Sequence, residues 1–185
     1  IFTLTGGVNY KWNRTEYYKK MDDLLGGDYY LNIDQFAERD FASSPTMVQN
    51  DLDYFLEHGE AKALKEGDKY GYDYYAHVRN ANVWANGALD LGGFKANLAL
   101  EAGYAKFWRE GLVRKGLFAG LDENGSEMMY EGKVLTTYDE KTGKAITSKG
   151  NSEVSDFLTY SAKLGLQYHF EGGHRIYANG AYFND

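Results

Sequence analysis

Residues 94–108 read Phe94-Lys95-Ala96-Asn97-Leu98-Ala99-Leu100-Glu101-Ala102-Gly103-Tyr104-Ala105-Lys106-Phe107-Trp108. Their even positions are Phe, Ala, Leu, Leu, Ala, Tyr and Trp, broken only by Lys106, while the odd positions carry Lys95, Asn97, Ala99, Glu101, Gly103 and Ala105. Successive side chains of a strand point to opposite faces, so a period of two that separates apolar from polar residues predicts a β-strand with one greasy side. The run is long: a usual strand has about 5–6 residues, whereas a tilted strand needs about 9–11 to cross a hydrocarbon layer.

The same pattern recurs on either side. Phe2, Leu4, Gly6, Val8, Tyr10 and Trp12 alternate with Thr3, Thr5, Gly7, Asn9, Lys11 and Asn13. Leu158, Tyr160, Ala162, Leu164, Leu166, Tyr168 and Phe170 alternate with Phe157, Thr159, Ser161, Lys163, Gly165, Gln167 and His169. In 70–89, Tyr72, Tyr74, Ala76 and Val78 share one parity and Ala81, Val83, Ala85 and Leu89 the other. That change of phase predicts a β-bulge near Asn80. With 175–184, whose small residues leave its faces unassigned, the expected strands are 1–14, 70–89, 94–109, 156–170 and 175–184. Asp90-Leu91-Gly92-Gly93 and Glu171-Gly172-Gly173-His174 read as tight hairpin turns. The other connections, 15–69 and 110–155, are long. Tight turns alternating with long loops are the asymmetry of an outer-membrane β-barrel, with short periplasmic turns and long outer loops. This places Tyr10, Trp12, Tyr72, Tyr74, Tyr104, Trp108 and Tyr160 toward the outer end and Phe2, Phe94, Tyr168 and Phe170 toward the periplasmic end, as two aromatic belts.

Composition agrees. The 185 residues include 17 Tyr, 22 Gly, one Pro and no Cys, with a mean hydropathy of −0.58. No run approaches the ~18–20 apolar residues of a spanning helix, and without cysteine neither a disulfide nor a thiolate metal site can form. The net charge of −7 argues against nucleic acid, which needs a basic surface. The expected fold is therefore all-β, an antiparallel transmembrane barrel segment of about five long strands with two large extracellular loops, all of 1–185 forming part of one barrel domain. A closed bacterial barrel has an even number of strands, at least about eight, and lipid does not tolerate open sheet edges. The chain is thus expected to be one piece of a larger barrel or to pair with other chains.

The first loop carries structure of its own. Ser44 as N-cap, Pro45 at the first helical position, apolar Met47, Val48, Leu52, Phe55 and Leu56, and then Gly59 predict a short helix. Residues 16–69 hold 13 acidic and 6 basic residues, the whole of the chain's acidic excess. In the second loop Lys133–Tyr138, a turn at 139–143 and Lys144–Thr147 predict a hairpin.

Four stretches resemble TonB-dependent receptors of Bacteroides-type bacteria: Met21-Asp-Asp-Leu-Leu-Gly-Gly-Asp-Tyr-Tyr-Leu-Asn-Ile-Asp-Gln-Phe-Ala-Glu-Arg-Asp-Phe41, Gly71-Tyr-Asp-Tyr-Tyr-Ala-His-Val-Arg79, Phe107-Trp-Arg-Glu-Gly-Leu-Val-Arg-Lys-Gly-Leu-Phe118 and Tyr177-Ala-Asn-Gly-Ala-Tyr-Phe183. The resemblance implies a barrel of about 22 strands, an N-terminal plug, coupling to TonB, and import of a scarce nutrient such as a siderophore, cobalamin or a glycan. This chain shows neither plug nor TonB box, so both belong to the parent. Expected partners are outer-membrane lipid, the rest of the barrel and plug, TonB through the parent, and a small-molecule or glycan ligand, with no nucleic acid; no cofactor and no enzymatic activity are expected.

Candidate site residues follow from face and loop. Leu4, Val8, Trp12, Leu98, Leu100, Tyr104, Trp108, Leu164 and Leu166 are expected to face lipid. Asn9, Lys11, Glu101, Lys163 and Gln167 are expected to face the lumen. Tyr29, Tyr30, Phe36 and Tyr54 offer flat rings outside the membrane zone and are the candidate ligand contacts, against packing of the loop on itself. The loop carboxylates Asp22, Asp23, Asp28, Asp34, Glu38 and Asp40 read as a solvated acidic face rather than a catalytic pair. Asp122 to Glu127 only faintly matches a calcium loop, since the closing carboxylate position is Lys133. His58, His77, His169 and His174 stand at no metal spacing. The rival readings are a soluble carbohydrate-binding or adhesion β-sandwich, whose apolar faces would meet one another, and a surface glycosidase.

Overall fold

The computed structural model describes residues 1–184. Its elements in chain order are β1 (Phe2–Lys20), β2 (Tyr30–Leu31), α1 (Gln35–Phe41), α2 (Leu52–His58), β3 (Ala63–Leu64), β4 (Lys69–Asp90), β5 (Phe94–Gly111), β6 (Met129–Tyr130), β7 (Lys133–Val134), β8 (Gly150–Asn151), β9 (Ser155–His169) and β10 (Arg175–Asn184). The fold is dominated by antiparallel sheet, and none of the helices is long and apolar enough to cross a membrane. The five long strands lie side by side in the order β1-β4-β5-β9-β10, an up-and-down meander, with β8 as a short addition to β5. The expected hairpin turns form at 91–93 and 170–174, where Leu91 N–H donates to the Phe94 carbonyl and Phe170 N–H to that of His174.

The chain divides into two compact units. The sheet unit comprises Ile1–Asn13, Val78–Phe107 and Val154–Asp185; the loop unit comprises Arg14–His77 and Trp108–Glu153.

In the sheet unit the registers bear out the strand phases. Phe94 faces Tyr168, Ala96 faces Leu166, Leu98 faces Leu164, Leu100 faces Ala162, and Tyr104 faces Leu158. On β10, Ile176 faces Tyr168 and Tyr182 faces Ala162. Apolar residues thus meet apolar residues across three strands, and polar residues meet on the reverse, where Lys95 faces Gln167 and Glu101 faces Ser161. Cross-strand pairs of this kind are what fixes sheet register, because a slip of one residue would turn every greasy side chain to the other face. Among the described residues of this unit only Gly103 is buried.

β4 corrects one expectation. Its odd positions lie with the even positions of its neighbours on both sides of Asn80. Arg79 bonds the Tyr10 hydroxyl and stacks over Trp12, and His77 meets Trp108 and Glu110. Its even positions Asn82 and Asn86 bond Glu101 and Asn97 on the polar face. The phase therefore does not slip and no bulge is needed. Tyr72 and Tyr74 sit on the polar parity because a tyrosine is amphipathic and serves on either face, and Val78, on the same parity, is exposed.

The loop unit has a core of its own. Leu52, Phe55 and Ala119 are buried together, with Leu56, Met128, Tyr130 and Leu135 packed around them, and Leu64 is fully enclosed nearby in sequence on β3. Arg114, itself buried, donates through Nε to Asp53 at 2.8 Å and through Nη1 to the carbonyls of Ala119 and Leu121. Gly116 marks a backbone crossing: a Cβ there would stand 1.8 Å from the Thr46 carbonyl oxygen, and its N–H donates to Gln49.

These contacts explain a second correction. The helix expected from Ser44 begins only at Leu52, capped by Asp51, whose side chain accepts from Tyr54 N–H. Residues 46–50 are claimed by tertiary hydrogen bonds instead, among them Gly116 to Gln49 and Asn50 to Asn32. The stop at Gly59 stands, in the left-handed conformation with its N–H on Phe55. A further helix, α1, is capped by Asp34. The 133–147 hairpin forms around its turn, with Tyr138 bridging Ala145, but Lys133 and Val134 pair back onto Met129 and Tyr130. β1 runs six residues past its expected end, to Lys20.

Candidate functional site

Two surfaces carry the chemistry. The first lies in the sheet unit. Thr3, Ala88, Lys95, Asn97, Tyr177 and Asn179 are among the residues lining a trough of about 600 Å³. A polar ladder runs along this face: Asn82 Nδ2 donates to Glu101 Oε1 at 2.7 Å, and Asn97 Nδ2 donates to Asn86 Oδ1 at 3.2 Å. Lys95 pairs with Asp90 at 2.7 Å. Lys163 lies 5.4 Å from the Phe183 ring centre, and Gln167 contacts His169. Asn9 and Lys11 share the same parity on β1 and are exposed. Trp84 crosses Gly7 here, where a Cβ would come within 3.0 Å of the indole Nε1.

On the reverse, Leu4, Val8 and Trp12 are exposed, and Leu98, Leu100, Leu164 and Leu166 are exposed by 44, 48, 46 and 38%. Tyr104 is exposed and donates to Asp156 at 2.8 Å. Trp108, which belongs to the loop unit, stacks flat on His77 with 4.6 Å between ring centres. His77 is buried and its Nε2 stands 2.7 Å from Glu110, which also pairs with Arg14 at 3.6 Å.

The second surface is in the loop unit, on the parity opposite to His77. Tyr17 and Tyr74 stack with ring centres 5.4 Å apart and planes 20° from parallel. Tyr72 adjoins Tyr74 at 5.7 Å, and Tyr30 meets Tyr70 edge-on at 6.1 Å. Two cations lie over this array. Lys19 Nζ is 5.4 Å from the Tyr72 ring centre and 5.7 Å from that of Tyr70, and the Arg109 guanidinium is 5.2 Å from Tyr74. Arg109 Nη2 also donates to the Ser148 carbonyl at 2.6 Å, which fixes its position. Rings with cations on their faces gain about 0.5–2 kcal/mol per contact by attraction to the ring quadrupole.

Of the four rings nominated from sequence, only Tyr30 joins this array, its hydroxyl accepting from Gln35 Nε2 at 2.7 Å. Tyr29 and Phe36 are exposed at 59 and 80%. Tyr54 is spent locally, stacked on His58 at 4.0 Å with Lys62 5.7 Å from its ring centre. Tyr17, Tyr70, Tyr72, Tyr74, Lys19 and Arg109 were missed. The signal was present: Tyr17-Tyr18-Lys19-Lys20 continues the period of two past the expected end of the first strand, and Tyr70-Gly71-Tyr72-Asp73-Tyr74 keeps it at the start of the expected 70–89 strand.

Three of the loop carboxylates, Asp23, Asp34 and Asp40, have local structural partners. Asp23 accepts from Leu25 N–H and Asp40 pairs with Arg39. Partial burial pushes the Asp34 carboxyl up, but the Ala37 and Phe36 N–H groups and the Lys115 ammonium outweigh it and hold it below the usual carboxylate value. Asp122 accepts from the Asn124 and Ser126 N–H groups as a turn former. Among the described residues no three His, Asp or Glu side chains converge as a metal set. No protein-family model matches the chain, no curated protein does, and no solved structure does.

Proposed function

We propose that this chain is a segment of an outer-membrane β-barrel, from a TonB-dependent transporter that imports a scarce nutrient. The apolar face carries the reading. Its residues are in register across β5, β9 and β10, they are exposed, and the unit that holds them buries no side chain among its described residues. A soluble protein rarely exposes a contiguous apolar patch beyond about 300–600 Å². A β-sandwich needs a second layer over such a face, and every strand in the sheet unit belongs to the one sheet. Acyl chains satisfy it without one. The reverse face, with its asparagine ladder and trough, suits a water-filled lumen or a plug surface. The tyrosine array suits ligand entry, and the resemblance noted in the sequence selects active import over passive diffusion.

The test is a pair of substitutions in the full-length protein. Leu98→Arg puts a charge on the apolar face, and should block outer-membrane assembly at a cost of about 2–4 kcal/mol. Asn97→Arg, one residue away on the polar face, should assemble. Heat-modifiable migration in outer-membrane fractions reads both, and equal tolerance at the two positions defeats the proposal.

A further inference from the structure

The tyrosine array differs in its electrostatics from the opposite side of the same strands. There the cations are neutralised by carboxylates: Arg14 pairs with Glu110 at 3.6 Å, and Lys69 pairs with Glu16 and, at 2.8 Å, with Asp73. Elsewhere in the loop unit Arg114, Lys115 and Lys149 are likewise held by Asp53, Asp34 and Asp53. Lys19 and Arg109 are arranged otherwise. Among the described residues neither forms an ion pair with a carboxylate; each lies across exposed or half-buried tyrosine rings.

We infer that the Tyr17–Tyr72–Tyr74 array, with Lys19 and Arg109, is a binding platform for an anionic ligand that presents a flat apolar ring face beside its charge. The inference rests on the transporter reading and narrows its cargo. Three physical points converge. A guanidinium and an ammonium with no internal counter-ion are the groups that form charge-assisted hydrogen bonds with a carboxylate or a similar oxyanion. Tyrosine supplies large contact area at low entropic cost, with a hydroxyl at the rim for further hydrogen bonds. The third is distance. Residues 16–69 are acidic overall, but at physiological salt a charge is screened beyond about 8 Å. An anion in contact with Lys19 or Arg109 therefore feels them more strongly than it feels carboxylates beyond that range. Two sources fit the shared chemistry: an acidic sugar, whose ring faces stack on tyrosine, and a negatively charged catecholate chelate, whose rings are themselves aromatic.

Binding to the full-length protein in detergent separates the possibilities, with oligogalacturonate and a ferric tris-catecholate as charged probes and a neutral maltooligosaccharide as the uncharged one. At least one charged probe should bind, at least about tenfold tighter than the neutral sugar, and more weakly as salt rises. Lys19→Gln and Arg109→Gln should each weaken it by about tenfold or more, the loss expected for one charge-assisted hydrogen bond. Tyr74→Leu should weaken it several-fold, and Arg14→Gln, on the opposite face, should leave it unchanged. Either charged probe alone supports the platform and identifies the source. Failure of both to bind, equal affinity for the neutral sugar, or wild-type binding in both Gln variants overturns it. Should Arg109→Gln fail to fold, Lys19→Gln and the salt dependence decide. The transporter reading is judged separately, by whether the wild-type protein lodges in the outer membrane and Leu98→Arg does not.

Discussion

The sheet unit and the loop unit solve opposite problems. The loop unit holds every buried apolar side chain among the described residues, from Ala37 through Ala119, and also the buried polar ones, Arg114 and Thr136 among them. The sheet unit buries only a glycine. One is stabilised by its own interior, as any small globular body is. The other is a single layer whose register is set by cross-strand pairing but whose apolar face is satisfied only by what surrounds it. The contrast teaches that residue hydrophobicity and burial are separate facts. Leu52 and Leu98 are chemically identical, yet one is fully enclosed and the other 44% exposed.

The sharpest way to break the contrast is to remove the internal bonds of the loop unit. Arg114→Ala leaves Asp53 with Lys149 alone and takes a donor from the Ala119 and Leu121 carbonyls, and should cost about 3 kcal/mol, from buried acceptors left unsatisfied at about 1–3 kcal/mol each. Limited proteolysis should then cut within 42–50, while the long strands stay protected. A paired leucine experiment comes next. Leu52→Ala should cost about 3 kcal/mol because a cavity is left in a closed core. Leu164→Ala should cost about 1 kcal/mol, since only transfer of the side chain is lost and no cavity forms. Equal costs in urea titrations of the folded protein would mean that the strand face is enclosed after all.

A smaller effect tests the cap of α1. Asp34→Ala should raise the exchange rate of the Phe36, Ala37 and Glu38 amides by the equivalent of about 1 kcal/mol, whereas Asp34→Asn, which can still cap, should lose less. Smallest is the pH response of that cap. The folded carboxyl titrates below its ordinary value, so its contribution is fully present above the unfolded pKa of about 4 and fades as the pH falls through the folded value. The protection of the α1 amides, taken relative to their intrinsic exchange rates, should therefore fall below about pH 4 in the wild type, and the Asp34→Asn variant should lack that component.

Much of the sheet was legible because alternation is local: Leu98, Leu100, Leu164 and Leu166 declare their shared face without knowledge of any partner. The error on β4 came from counting Tyr72 and Tyr74 as apolar, when their cross-strand neighbours decide where they lie. The loop unit resisted for a different reason. Its core joins Leu52 and Phe55 to Ala119, Met128 and Leu135 across more than sixty residues, and no periodicity marks such a meeting. The helix start at Leu52 was hidden likewise, since the hydrogen bonds that hold 46–50 out of the helix are made with Asn32, Asp34 and Gly116, all distant in sequence. The tyrosine array was half visible: its residue types were in plain sight, but only unbroken strand phase aligns Tyr17 with Tyr74 and Lys19 with Tyr72.

The crossing of Gly116 over Thr46 fixes a timetable for biogenesis. Residues 32–52 cannot reach their final conformation while the chain ends before 116, and the hydrophobic pocket around Phe55 stays incomplete until Leu135 has been made. A ribosome or an export channel that delivers the polypeptide from its N-terminus must therefore release the first long excursion unfinished. During that interval α2 has no interior to join, and the exposed greasy segment is a natural client for a holding chaperone.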